Sequence, residues 1–437
     1  MSRNRRSLAL LASATALVAL AGCSSSSGSS GSGGSSAKAG GKTTISFMSI
    51  MDSGAQKTTL VALTNAFEKA NPGITVNLEY QTSYGNLLAK ETAGVSGHNA
   101  PTLGQVYESW AATFANSDAI LPARTYAGSD NPAGLSGFYT GVQKDLKLPD
   151  GKLWMWPFNK SVQVMYYNAD MLKAKGLAAP TTWDQFATDA KAVSGKGVTA
   201  ITVDPGSSAS PAGGQTMFAA LAAAYGTPDV APDGTPQLNS AAAVQALTYM
   251  KTLEGEGALA TGTNYPGETA LGAQKGAFDL SSAAGYYYEN QAVGNKFALG
   301  TEVLPVGPSG APTNIMSGTN VAMFASATPA QQAAGWKYMQ FLASASSQAQ
   351  WSEQTGYLPV TPAALPLMSA FIAKNPYLPT AVAALQYAVP QPAYAWVEQV
   401  EGEEVVAIQA VLEKGADPKS ALDAAQKAAL ADKQADQ

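Results

Sequence analysis

The sequence predicts an α/β protein with more than one hydrophobic core. Two observations carry this. Strand-like and helix-like segments alternate from residue 42 onward, and the body that follows the leader runs to about 395 residues, more than one core comfortably encloses. Charge is also sparse: 46% of the 437 residues are apolar and only 13% are Asp, Glu, Lys or Arg, which suits neither a coiled coil nor a disordered chain.

The first elements form a βαβ unit. Residues 43–49 read as a strand. Residues 56–70 read as a helix with Leu60, Leu63 and Phe67 on one face, stopped by Asn71-Pro72-Gly73. Ile74, Val76, Leu78 and Tyr80 then alternate as a second strand. Further β-rich pieces fall at 103–107, 162–168 and 198–203, and helices at 182–193, 240–255 and 329–345. Each of these helices opens on a cap or first-turn residue: Thr182, Ser240 and Thr328-Pro329. Turn residues cluster without apolar periodicity at 204–214, 226–236 and 307–312, which read as loops. Residues 397–431 are Ala/Glu/Lys-rich helix, broken at 415–418.

The amino terminus has its own pattern. Arg3, Arg5 and Arg6 precede an apolar run over residues 8–20, and Leu20-Ala21-Gly22-Cys23 follows. This resembles the lipobox of bacterial lipoproteins, which implies a signal peptide over 1–22 and lipidation at Cys23. Residues 24–41 contain 15 Ser or Gly among 18, so 23–41 reads as a lipidated cysteine with a flexible tether, of root-mean-square reach about 23 Å. The expected location is the outer face of the cell membrane, lipid-anchored. Loss of the three leader arginines leaves 23 basic against 31 acidic residues. With no basic run, such a surface cannot neutralise phosphates, so nucleic acid is not an expected partner.

Catalytic constellations are scarce. His98, the only histidine, stands in a Gly97-His98-Asn99 turn with no nucleophile elbow in the sequence, and Cys23 is the only cysteine. No metal-ligand spacing and no phosphate-binding glycine loop occurs, so neither metal nor cofactor is expected. A glycoside hydrolase would need two facing carboxylates, for which Asp52, Glu108 and Glu289 are candidates. Binding chemistry is better represented. Trp154-Met155-Trp156-Pro157-Phe158-Asn159, Tyr166-Tyr167-Asn168 and Tyr286-Tyr287-Tyr288 set aromatic faces beside hydrogen-bonding side chains, a combination that suits a polyol.

Several segments, in this order, resemble one family: Phe67-Glu68 with Asn71-Pro72-Gly73-Ile74, Ala100-Pro101-Thr102-Leu103 leading to Gln105-Val106-Tyr107-Glu108, Tyr166-Tyr167-Asn168, Pro180-Thr181-Thr182-Trp183-Asp184, and Thr355-Gly356-Tyr357-Leu358-Pro359-Val360. The chain is similar to the extracellular solute-binding proteins of carbohydrate ABC importers, the family of maltose-binding and glycerol-3-phosphate-binding proteins. The resemblance implies a two-lobed periplasmic-binding-protein-like fold whose discontinuous lobes are joined by hinge strands. Lobe 1 would hold 42–158 plus 317–360, and lobe 2 would hold 159–316 plus 361–437.

The same resemblance implies a site. Tyr84 and Tyr357 would stack or donate, Glu108 would accept from hydroxyls, and Asn159, Ser161, Ser282 and Gly318 would bond hydroxyls. Tyr286 would stand at the cleft edge and Trp396 would give a stacking platform. Two departures bear on the ligand. No Arg follows Arg124, where phosphate binders of this group use one late in the chain, and their paired-Trp turn is replaced by residues 204–208. A phosphate would depend on Lys160 or on helix N-termini. The expectation is therefore a monomeric receptor that delivers a neutral carbohydrate to permease subunits. The alternatives are a glycerol-3-phosphate or glycerophosphodiester receptor and, further off, the glycoside hydrolase.

Overall fold

The protein is described here from a computed structural model, which covers residues 42–206, 213–312 and 314–436. The segments expected to be signal peptide, lipidated Cys23 and tether lie outside the described residues. Strands β1 (Thr43–Ser49) and β2 (Ile74–Tyr80) pair in parallel across helix α1 (Gly54–Ala70), which buries Leu60, Leu63 and Phe67. Strand β3 (Leu103–Val106) adds in parallel to β1. The capping signals are realised: Thr182, Ser240 and Thr328 each accept a backbone N–H three residues on, and Thr328 forms a reciprocal capping box with Gln331. The helix expected over 329–345 runs Pro329–Leu342, and a further helix, Ala345–Thr355, capped by Ser344, follows it.

The largest departure is β4 (Met155–Asn168), which starts seven residues before the expected position. Pro157 hid it, because proline donates no ladder hydrogen bond. The strand accommodates it where the pairing register shifts between Pro157 and Asn159. At ~3.3 Å per residue, its 14 residues give it the reach to serve two sheets. Its first part pairs antiparallel with β9 (Met316–Met323), which pairs in turn with β3. Its second part pairs with β7 (Phe278–Ser282) and β8 (Leu299–Val303). Strands β5 (Ile201–Val203) and β6 (Leu259–Thr261) continue from β7, giving the order β2-β1-β3-β9-β4-β7-β5-β6 with β8 off the path.

Two hydrophobic cores flank this crossing. The first gathers Phe47, Phe67, Leu103, Trp156, Met323 and Tyr338. The second gathers Trp183, Phe186, Phe218, Leu247, Phe278 and Ile408. Residues 362–388, grouped by the resemblance with the second lobe, bury Met368, Tyr377, Leu378 and Leu385 in the first core, which also takes in Val164, Tyr166 and Ala284, and their helix Tyr377–Ala384 packs against β8. One of its contacts is a close backbone approach. Gly141 donates its N–H to Leu385 O, and a Cβ at Gly141 would meet that oxygen at 2.4 Å. From Trp396 onward the chain packs in the second core.

Candidate ligand-binding cleft

Side chains alternate along β4, so successive residues build two separate polar layers at the crossing. Asn159 belongs to the first and is fully buried. Its Oδ1 accepts from Gln105 Nε2 at 3.0 Å and from Thr319 Oγ1 at 2.6 Å, while Gln105 Oε1 accepts from Ile50 N. Its Nδ2 points toward the Tyr84 and Tyr357 hydroxyls without closing a full hydrogen bond to either. Tyr84 opens helix α2 (Tyr84–Ser96) and packs 4.9 Å from Tyr107, centroid to centroid. Tyr357 stacks on Trp351 at 5.9 Å. Burial raises the pKa of both phenols well above the ordinary tyrosine value, so each is a neutral hydroxyl.

Lys160 belongs to the second layer and is wholly enclosed. Its Nζ reaches Asp145 Oδ2 at 2.7 Å, Glu108 Oε1 at 3.1 Å and Gly318 O at 3.3 Å, which uses all three ammonium hydrogens. Asn320 Nδ2 donates to the same two carboxylates at 2.9 and 2.7 Å. Burial and the neighbouring Asp145 push the Glu108 carboxyl up to about 8, against the pull of Lys160. Burial works against the Lys160 charge, yet Asp145 and Glu108 together hold its pKa above the ordinary lysine value. Gly318 has φ +84°, and a Cβ there would lie 1.9 Å from Asn159 O. Only glycine lets these strands approach so closely.

The expected site residues therefore divide. Tyr84, Asn159 and Tyr357 converge. Glu108 and Gly318 lie beside them but serve Lys160, which is correspondingly committed and has no hydrogen left for an anion. Ser161 and Ser282 bond each other at 2.8 Å, and Ser161 Oγ also accepts from Ala284 N. Tyr286 stacks on Tyr377 at 3.7 Å and 16°, and Tyr287 donates its hydroxyl to Glu353 O. Trp396 is enclosed: its Nε1 donates to Gly234 O at 2.9 Å, Tyr394 stacks on it at 4.9 Å, and the Lys433 ammonium lies 5.4 Å from its ring. The platform role expected of Trp396 has no open ring face here, because the Gly234 turn and Tyr394 occupy it.

Sequence reasoning also left residues out. Trp110, on α3 (Glu108–Asn116), packs against Tyr107 and Tyr84 and donates its indole N–H to Glu398. This bond joins a first-core residue to the chain segment that enters the second core. A cavity of about 790 Å³ opens beside the crossing strands. Lys144 and Lys147 line it from one side, Gln163, Ile315 and Val389 along the crossing, and Gln215, Asp229, Tyr394 and Glu401 from the other. None of the nine expected ligand residues lines it, although Glu401 also faces Tyr107. No pattern within either segment could have paired residue 229 with residue 401. The carboxylates weighed for hydrolysis are engaged separately: Glu108 with Lys160, and Glu289 with Asp279. His98 is exposed, in a turn with φ +55°.

Two α/β cores joined by crossing strands are the architecture of a solute-binding protein. Residues 62–380 match the bacterial extracellular solute-binding protein family, and the chain belongs to it. It is 28% identical over 372 residues to the sn-glycerol-3-phosphate-binding periplasmic protein UgpB of Pectobacterium atrosepticum, covering 78% of this chain and 79% of that one. Among solved structures it resembles UgpB of Mycobacterium tuberculosis in complex with glycerophosphocholine, with a TM-score of 0.80, 20% identity, and coverage of 90% of this chain and 99% of that one. It also resembles the GacH receptor of Streptomyces glaucescens, solved unliganded and with acarbose, with a TM-score of 0.75, 20% identity, and coverage of 89% and 97%. The fold is accordingly the two-lobed binding-protein fold.

Proposed function

We propose that this protein is the lipid-anchored receptor of an ABC importer and that it captures a carbohydrate between its lobes and hands it to the permease. The observation that carries the ligand class is the polar layer around Asn159. A buried amide with an unused donor sits among two neutral tyrosine hydroxyls, and the one cation of the crossing is bound on all sides by Asp145, Glu108 and Gly318. Such a layer complements hydroxyl groups, and it offers nothing to compensate a buried phosphate dianion. The first lobe holds 42–158 plus 317–360 and the second 159–316 plus 361–437, with β4 crossing between them. Cys23 carries the lipid, the receptor works as a monomer, and it performs no chemistry on its ligand.

Calorimetry on the tether-deleted protein with neutral mono- and oligosaccharides, glycerol-3-phosphate and glycerophosphodiesters tests this. A neutral sugar should bind, with affinity reduced at least tenfold by Asn159→Ala and by Tyr357→Ala. The similarity to sn-glycerol-3-phosphate-binding proteins keeps a second reading in view: tight binding of glycerol-3-phosphate with no sugar bound would establish that reading instead. Cys23→Ser should release the full-length protein from cells into the medium.

A further inference from the structure

The polar layer around Asn159 is oriented by a group that lies outside it. Gln105 on β3, Thr319 on β9 and Asn159 on β4 stand on three adjacent strands of the crossing, and all three side chains are fully buried. Every hydrogen bond among them has a fixed direction. The N–H of Ile50, just after β1, donates to Gln105 Oε1 at 2.8 Å. Gln105 Nε2 places its two hydrogens on Asn159 Oδ1 at 3.0 Å and on Thr319 Oγ1 at 2.9 Å. The Thr319 hydroxyl gives its single hydrogen to Asn159 Oδ1 at 2.6 Å.

A side-chain amide can be turned over, exchanging its donor and acceptor ends, whereas a backbone N–H cannot. Were Asn159 turned over, its NH2 would face the NH2 of Gln105, so Gln105 would have to turn as well. The Gln105 NH2 would then meet the Ile50 N–H, donor against donor. Buried donors left without acceptors cost more than an ordinary hydrogen bond contributes. The Ile50 N–H therefore sets both amides. Two donors fill Asn159 Oδ1, and Nδ2, which has no partner, is turned toward the Tyr84 and Tyr357 hydroxyls. The bonds run one way, from Ile50 through Gln105 to Asn159, and each polarises the next.

We infer that Gln105 is a positioning residue for ligand binding: with Thr319 it holds the Asn159 amide so that Nδ2 faces the ligand, and it thereby selects solutes that present an oxygen acceptor, hydroxyl or ether, at that point. The inference rests on the receptor reading above, in which the hydroxylated ligand lies by Asn159, Tyr84 and Tyr357. Gln105 acts through Asn159 and touches no ligand itself, since both of its amide hydrogens are occupied within the layer.

Gln105→Glu provides the test, because it keeps the shape and the acceptor for Ile50 but replaces the donor to Asn159. An ionised carboxylate sets acceptor against acceptor and turns the Asn159 amide over, whereas a protonated one donates to Oδ1 as the amide did. The mature protein and the variant are titrated calorimetrically with maltotriose, cellobiose, glycerol-3-phosphate and glycerophosphocholine at about pH 8 and about pH 5, since burial raises a carboxyl pKa into this range. For the probe that wild type binds most tightly, the variant should lose at least tenfold in affinity at the upper pH and return to within about threefold of wild type at the lower. The ratio to wild type is read because Glu108, Asp145 and Lys160, in the second layer of the crossing, and Glu401, facing Tyr107, are common to both proteins. In an Asn159→Ala background the same substitution should change affinity at neither pH, which a role confined to folding would not produce. Thr319→Val removes the other donor without adding charge and decides the matter should the first variant fail to fold: affinity should fall about threefold or more, and not at all beside Asn159→Ala. Unchanged affinity in these variants, or an equal loss in both backgrounds, would overturn the positioning role and leave the receptor standing. Binding of none of the four probes by wild type would overturn the receptor reading and the inference with it.

Discussion

Lys160 Nζ lies 2.7 Å from Asp145 Oδ2 with neither side chain exposed, at the point where the strands cross between the two cores. Glu108 completes the group. An ion pair enclosed in this way contributes little net stability over an apolar equivalent, because desolvation of the charges offsets their attraction. Its removal is another matter. Lys160→Met should cost about 3–5 kcal/mol, since two buried carboxylates would lose their cation. Urea denaturation measures it, and Lys160→Met combined with Asp145→Asn and Glu108→Gln should recover most of the loss. A triple variant as unstable as the single one would contradict this account.

Gly318→Ala should destabilise the protein by roughly 2 kcal/mol or more, because a left-handed backbone and a collision with Asn159 O act together. The same change should displace Asn159 and so weaken ligand affinity. A wild-type midpoint in urea would show that the crossing is looser than its geometry indicates.

Burial and the neighbouring Asp279 push the Glu289 carboxyl from its ordinary 4.5 up to about 10. The folded state therefore binds a proton there that the unfolded state releases at lower pH. This contribution is fully present below about 4.5 and fades as pH rises toward about 10. Glu289→Gln, which keeps the shape without the titration, should flatten the fall in melting temperature between pH 6 and 9 (about three units within that window). An unchanged pH profile would argue against the protonated pair.

Trp110→Phe keeps the ring packed against Tyr107 but removes the N–H given to Glu398. Because that bond ties one core to the segment entering the other, the unliganded variant should populate more open forms. Small-angle scattering should show a larger radius of gyration than wild type, and saturating ligand should restore it. Equal radii without ligand would mean that closure depends on other contacts, such as Tyr287 with Glu353.

The sequence by itself determined the alternation of strands and helices, the capped helix starts, the βαβ unit that opens the body and, through a handful of ordered segments, the family. These follow from local chemistry: apolar periodicity, cap hydroxyls and turn glycines act within a few residues of themselves. It also nominated Tyr84, Asn159 and Tyr357, which do meet. Tertiary structure alone decided what the neighbours of these residues do. Glu108 reads as a free acceptor until residue 160 is placed beside it, and Trp396 reads as a platform until Gly234 closes over it. The strand at residue 155 was hidden by Pro157, whose missing donor falls where β4 carries one extra residue, Phe158, against β9. The cavity beside the crossing joins residue 229 to residue 401. Burial and long-range pairing set charge, access and hydrogen-bond occupancy, and these depend on which distant segments the fold brings together.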